Sequence, residues 1–316
     1  TPNAAWHSDV FWLYLLIVAG VLAGAGMVLA FITAVLKKDV RPAWVTYRSW
    51  LVMAPLVLGS IFAGRATFIV LIGFLAVFGM KEFAKATGLY HDWWITGGAY
   101  VGIIAIGLSS LLPHPRGVEG GPGWYGLFMT LPVYAICLIL SIPIWLNRVR
   151  GQLQRTSLAT VGFIYVGWMF GHLGFLANTP HAYGYLLYLI FATELNDVAA
   201  FTCGRLFGRH PFRSEISPKK TWEGAVGALL VSLALPWVLQ FSFPHFTAAQ
   251  LVLTGLIVGI GGQLGDLSIS VIKRDIGIKD MGVMIPGHGG ILDRIDSLIY
   301  VAPLFLHLVN YCHGLR

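Results

Sequence analysis

A chain of 316 residues that is 57% hydrophobic and 11% charged, with a mean hydropathy of +0.75, has too little charge to cover a soluble globule. Soluble domains carry about a quarter charged residues because their surfaces face water. The bilayer is the solvent this composition fits, and 38 glycines fit it too, since small residues let membrane helices approach closely. Cys137, Cys203 and Cys312 share no C-x-x-C spacing and no histidine partners, so they point to neither a zinc module nor a disulfide framework.

Along the chain, apolar segments of bilayer length alternate with short polar connections. Helices are expected at Val10–Leu36, Trp50–Gly64, Ala66–Met80, Trp93–Leu112 and Trp124–Leu146. Five more are expected at Ser157–Leu176, Ala182–Phe201, Glu223–Phe243, Thr247–Val271 and Leu292–Cys312. The chain opens on Thr1 rather than Met, which predicts processing or trimming. The first apolar run is too long for a signal-peptide core and lacks a basic leader, so it reads as a retained helix. The second and third segments are short, and Arg65 between them suggests a tight re-entrant pair. Trp93/Trp94 and Trp124/Tyr125 open helices as interfacial anchors. The pairs Gly20/Gly24, Gly98/Gly102, Gly167/Gly171 and Gly255/Gly259 have the spacing of close helix contacts, with chance in a glycine-rich chain as the plain alternative.

The expected fold class is therefore all-α, a polytopic integral membrane helical bundle of roughly ten transmembrane helices with the N-terminus outside. In that orientation 18 of the 21 lysines and arginines fall on the inner side, leaving only Arg65, Arg116 and Arg316 outside. The net charge of +7 then describes a basic face beside anionic lipid rather than a nucleic-acid binder.

Nine of the 14 acids lie between Glu194 and Asp296. Ionisable groups within spans are costly and mark function. Asp197 and Asp266 sit deep in their spans near the inner end, and Asp293 and Asp296 share a helix face at i, i+3. Two or three aspartates with water and phosphate oxygens are the ligands Mg²⁺ prefers, with a second metal ion also compatible. Two polar loops separate these helices. GRLFGRHPFRSEISPKKTWEG (204–224) brings Ser217, Lys219, Lys220, Thr221 and Glu223. KRDIGIKDMGVMIPGHGG (273–290) brings Lys273, Arg274, Lys279, Asp280, His288, Gly289 and Gly290. Basic side chains and glycine-supported amides suit phosphate oxygens, and PGHGG leads into a helix N-terminus that favours anions. Taken singly, a basic loop is usually a topology signal, a span aspartate an interhelical pair, and His288 a loop histidine. Lys37, Lys38, Arg41 and Arg48 need no reading beyond topology. His114, His172, His181 and His245 receive no role, and no G-x-x-x-x-G-K-[ST] loop is present.

The stretch SVIKRDIGIKDMGVMIPGHGGILDRID, Ser270 to Asp296, resembles the signature of the phosphatidate cytidylyltransferases, the CDP-diacylglycerol synthases. That signature runs S-x-hydrophobic-K-R, four residues, K-D, then P-x-H-G-G-hydrophobic-x-D-R-hydrophobic-D, and every fixed position is met. GRLFGRH, ISPKKTWEG and GDL (Gly265 to Leu267) also look like the family. The resemblance is strong over Ala182 to Cys312 and only hydropathic from Trp50 to there. It implies three parts: an extra N-terminal helix and basic loop (1–48), N-terminal membrane helices (49–180) and a catalytic membrane domain (181–316).

The resemblance further implies transfer of a cytidylyl group from CTP to phosphatidate, with Mg²⁺, giving CDP-diacylglycerol and pyrophosphate. It implies Asp266 and Asp293 as metal ligands, Asp197 as the opening aspartate of D-x-x-A-aromatic, and Ser217, Lys219 or Lys220, Thr221 and Glu223 as the S-P-x-K-T-x-E-G element. Lys273, Arg274, Arg294, Lys219 and Lys220 are expected to grip phosphates, Asp296 to stand near the metal, and His288 to assist departure of pyrophosphate. A homodimer, a bacterial inner membrane and a site on the cytoplasmic side accompany the family. Two departures stand out: Val198 where the family commonly has serine, and Ile269 where it commonly has glutamate. The alternatives are a related enzyme with another lipid-phosphate or polyprenol acceptor, and a cation-coupled transporter, which predicts inverted repeats and acids at the midplane.

Overall fold

The computed structural model describes residues 2–37, 39–113, 123–287 and 289–314; Lys38, His114, Arg116, His288 and Arg316 lie outside the described residues. The helices are α1 (Pro2–Trp6), α2 (Asp9–Ala34), α3 (Arg41–Ala63), α4 (Arg65–Ala86), α5 (Trp93–Leu111), α6 (Tyr125–Trp145), α7 (Gln152–Gly162) and α8 (Phe170–Leu176). They continue with α9 (Ala182–Phe207), α10 (Trp222–Val238), α11 (Ala248–Leu256), α12 (Gly262–Asp275) and α13 (Leu292–His313). π-helical turns at Phe163–Met169 and Ile257–Gly261 join α7 to α8 and α11 to α12, so each pair crosses as one rod. Among the described residues nine such segments are long and apolar enough to span a membrane, and the chain is an integral membrane protein. The remaining expected segment, the eighth in order, is α10, with 17 residues. At 1.5 Å per residue that is about 26 Å, slightly less than a hydrocarbon core.

The re-entrant pair does not form. α3 and α4 have 23 and 22 residues, because helix continues through the polar flanks that hydropathy had trimmed off. Gly64, at φ +119°, turns the chain between them. Arg65 then turns inward, donating to the carbonyls of Ser110 and Leu111 and to the Asn178 side chain at 2.6–3.0 Å.

Three of the four glycine pairs are helix contacts. A Cβ at Gly98 or Gly102 would run into Ile142 or Phe163, at Gly167 or Gly171 into Ile103 or Ile106, and at Gly255 or Gly259 into Ser232 or Leu229. Gly20 and Gly24 face open space. The buried core collects along α13, which packs against α4, α8, α9 and α12.

One end of the bundle holds the start of α2, the start of α9 and the end of α13. Phe11 meets Tyr183 there, and Tyr14 hydrogen-bonds Ser242 at 2.8 Å. His245 stacks on His181 at 4.1 Å and meets His313 at 4.6 Å. The other end carries the two polar loops. The first is not irregular throughout: β1 (Pro211–Arg213) and β2 (Ser217–Thr221) pair antiparallel, with Pro211 opposite Thr221 and Arg213 opposite Ser217.

Candidate active site

At that loop end, Glu194 and Asp197 from α9, Asp266 and Lys273 from α12, and Asp293, Arg294 and Asp296 from α13 line one cavity of about 120 Å³, with Asp280 from the loop before α13. The local cause is close helix approach at glycine. A Cβ on Gly265 would collide with the Asp296 carbonyl, and one on Gly262 would press on Asn196. α12 therefore lies against both α13 and α9, and Asp266, the next residue after Gly265, faces their acids. Tyr165 supports this contact from α7–α8 by donating to the Gly265 carbonyl at 3.1 Å.

Each acid has a distinct setting. Asp293 is buried; its Oδ1 accepts from Lys273 Nζ at 2.9 Å, and its Oδ2 accepts the amides of Met281 at 2.9 Å and Gly290 at 3.0 Å. Asp266 is partly open, with Lys220 Nζ at 2.6 Å and the Ser270 hydroxyl donating at 3.2 Å. Asp296 is buried and accepts the Ser297 amide at 2.7 Å, while the Ser297 hydroxyl reaches Asp197 at 3.5 Å. Arg294 lines the same space with a buried Nε that has no hydrogen-bond partner among the described residues. Its neighbours across the cavity are carboxylates, so an incoming polyanion would meet this guanidinium and the Lys273 and Lys220 ammonium groups together.

Asp197, Asp266 and Asp296 offer hard oxygen donors around one space, and their mutual repulsion is relieved by a cation. Among the described residues no three His, Cys, Asp or Glu side chains form a ready-made cage. Carboxylate oxygens of this kind are the donors Mg²⁺ takes, with water and phosphate oxygens completing its shell. Asp293, which the resemblance implies as a metal ligand, here anchors Lys273 and two loop amides.

Other expected site residues lie off the cavity. Four amides of the PGHGG–helix junction are engaged internally: Gly289 N–H goes to Ile285, Gly290 N–H to Asp293, and the amides of Ile291 and Leu292 to Glu82 at 3.1 and 2.9 Å. The amides of Gly289 and Gly290, expected at a phosphate, are thus occupied within the protein here. Arg274 is exposed, does not line the cavity, and ties the two loops by donating to the carbonyls of Ile216 and Ile278, both at 3.2 Å. Thr221 caps α10 through the Gly224 amide, and Glu223 holds His210 at 2.6 Å. Ser217 and Lys219 stand on β2, half-buried and exposed, and Lys279 is exposed. Ile269 is fully buried and Val198 is 57% exposed on the outer side of α9. The two departures from the family pattern thus lie away from the cavity wall.

The cytidylyltransferase family model matches residues 44–312. This chain belongs to the cytidylyltransferase family. The match starts beyond α2 and takes in every helix from α4 onward. Similar proteins include YnbB of Escherichia coli K12, an uncharacterized protein 31% identical over 252 residues, 78% of this chain and 79% of that one. The phosphatidate cytidylyltransferase of Staphylococcus haemolyticus is 37% identical over 196 residues, 61% of this chain and 72% of that protein. That of Staphylococcus epidermidis is 40% identical over 168 residues, 53% and 64% of the two chains. Membership of an enzyme family leaves the transporter reading without support.

Two acids of this cytidylyltransferase, Glu194 and Glu82, carry no role in the sequence reading. Glu194 lies three residues before Asp197 on the same helix face, a spacing that could have found it. Glu82 gave no signal: it sits among apolar residues near the end of α4, beside lysines that topology alone explains.

Proposed function

We propose that this chain transfers the cytidylyl group of CTP to phosphatidate at the cytoplasmic side of a bacterial inner membrane, releasing pyrophosphate and CDP-diacylglycerol. The observation that carries the reading is the cavity at one end of a membrane bundle where Asp197, Asp266 and Asp296 face Lys273 and Arg294. Phosphatidate cytidylyltransferases of two staphylococci among the relatives support the choice of acceptor.

A phosphate monoester is already anionic at neutral pH, so the reaction needs no strong base. Its oxygen forms a new bond to the α-phosphorus of CTP as the bond to the β-phosphate oxygen breaks, and pyrophosphate leaves in line. The difficulty is bringing two anions together. Arg294, with its unpartnered Nε, and Lys273, oriented by Asp293, are placed to bind phosphate oxygens and hold them for that approach. Lys220 is placed to leave Asp266 and take a phosphate oxygen when substrate enters. Asp197, Asp266 and Asp296 would hold Mg²⁺, which supplies charge neutralisation for the triphosphate and the leaving pyrophosphate.

The test is pyrophosphate release by purified protein in detergent with CTP and phosphatidate, with and without Mg²⁺. Release that requires all three is the expected result. Release with CTP and another lipid phosphate, but not with phosphatidate, would overturn the acceptor and leave the cytidylyl chemistry intact.

A further inference from the structure

Glu82 lies on α4, 8% exposed, and among the described residues it forms no ion pair. Its two carboxylate oxygens instead accept the amides of Ile291 and Leu292, more than 200 residues along the chain, where α13 begins. Those amides, with the dipole behind them, attract an anion. Here the anion belongs to the protein. Asp293 takes the neighbouring amides of Met281 and Gly290, so two carboxylates fix the entire junction from loop to α13.

Two glycines are shaped around Glu82. A Cβ at Gly282 would meet three Glu82 side-chain atoms, and one at Gly290 would lie 2.5 Å from Oε2. Neither glycine has a positive φ, so the requirement at both is space for the carboxylate rather than backbone conformation. An unpaired carboxylate buried in apolar surroundings is costly unless its hydrogen bonds are complete. This one is satisfied by the backbone that carries Asp293, Arg294 and Asp296.

We infer that Glu82 is a positioning residue for the site: it seats the N-terminus of α13 so that Arg294 and Asp296 face Asp197 and Asp266 across the cavity. It touches no substrate and acts through the first turn of α13. The kinetic consequence rests on the proposed cytidylyl transfer; the structural one does not. Glu82→Gln keeps the size of the side chain but sets an NH₂ group against an N–H donor, so the turn loses one of its two acceptors.

The experiment compares wild type, Glu82→Gln, Gly282→Ala, Glu82→Ala and the Glu82→Ala/Gly282→Ala double variant, full length in detergent. It measures kcat and KM for CTP per folded molecule, together with hydrogen exchange at Ile291 and Leu292. In Glu82→Gln, kcat is expected to fall about 10- to 100-fold, as for other groups that orient catalytic ligands, with KM for CTP within about twofold and faster exchange at both amides. Gly282→Ala is expected to speed exchange in wild type and to add nothing in the Glu82→Ala background, where the colliding atoms are gone. A wild-type kcat in Glu82→Gln, or additive effects of the two alanine substitutions, would overturn the inference. If wild type releases no pyrophosphate, the proposed reaction fails on its own, and exchange decides: unchanged protection in Glu82→Gln refutes the positioning role, and lost protection supports it.

Discussion

Replacing Asp293 tests whether its first task is to hold the site together. Its side chain is 5% exposed and that of its partner Lys273 is 10% exposed, at 2.9 Å. Breaking a buried pair by removing one partner costs about 3–5 kcal/mol, because the other charge is stranded. The amides of Met281 and Gly290 also lose their shared acceptor, and each buried donor left unmade costs about 1–3 kcal/mol. Solvent enters the cavity, so the lower ends of these ranges apply, and Asp293→Ala should lose about 5 kcal/mol. For a chain of this size that is a fall in Tm of about 10 °C, at roughly 2 °C per kcal/mol. Asp293→Asn keeps an oxygen for the two amides but loses the charge and sets an NH₂ group against the Lys273 ammonium. Asp293→Asn combined with Lys273→Met removes both charges and should be more stable than either single variant, with a coupling of about 2–3 kcal/mol. Thermal unfolding in detergent by circular dichroism reads wild type and the four variants, Lys273→Met included. Asp293→Ala at the wild-type Tm, or strictly additive single substitutions, would refute the anchoring role. Loss of turnover in Asp293→Ala therefore does not by itself identify a metal ligand.

Asp266 should behave in the opposite way. Its pair with Lys220 is about 30% exposed, so Asp266→Asn should cost at most about 1 kcal/mol of stability. Its pyrophosphate release should nevertheless fall about 100-fold or more, and a variant keeping a tenth of wild-type turnover would remove Asp266 from the metal site. At the far end of the bundle, His245 lies in the loop between α10 and α11, with Tyr185 Oη at 2.6 Å from Nε2. Burial first, then His181 and His313, push its pKa down from 6.5 to about 4. The unfolded chain then binds the extra proton more readily, so this contribution to stability is complete above about pH 6.5 and is lost as the pH falls toward 4. Tm should drop between pH 7 and 5 in wild type and less in His245→Phe; equal slopes would show that this histidine is not responsible.

Much of the molecule is legible in its residues. Low charge and long apolar runs require the bilayer, and the spacing of those runs yields the ten segments because each must satisfy its backbone within itself. Spacing of i, i+3 puts Asp293 and Asp296 on one wall, and the Ser270–Asp296 signature points to the chemistry. The ends of α3 and α4 were misjudged because hydropathy falls at polar flanks while helix hydrogen bonding continues. Tertiary structure alone decided which charges meet. Lys273 pairs with Asp293 at a separation of 20 residues, and Glu82 reaches Leu292 at 210. A local pattern can show that α13 begins with amides ready for an anion, but not which anion arrives. That depends on how α4 packs beside α13, with glycines at 282 and 290 leaving room for a carboxylate. In the fold, the anion at the amides of Ile291 and Leu292 is the Glu82 carboxylate, brought there by a helix more than 200 residues away.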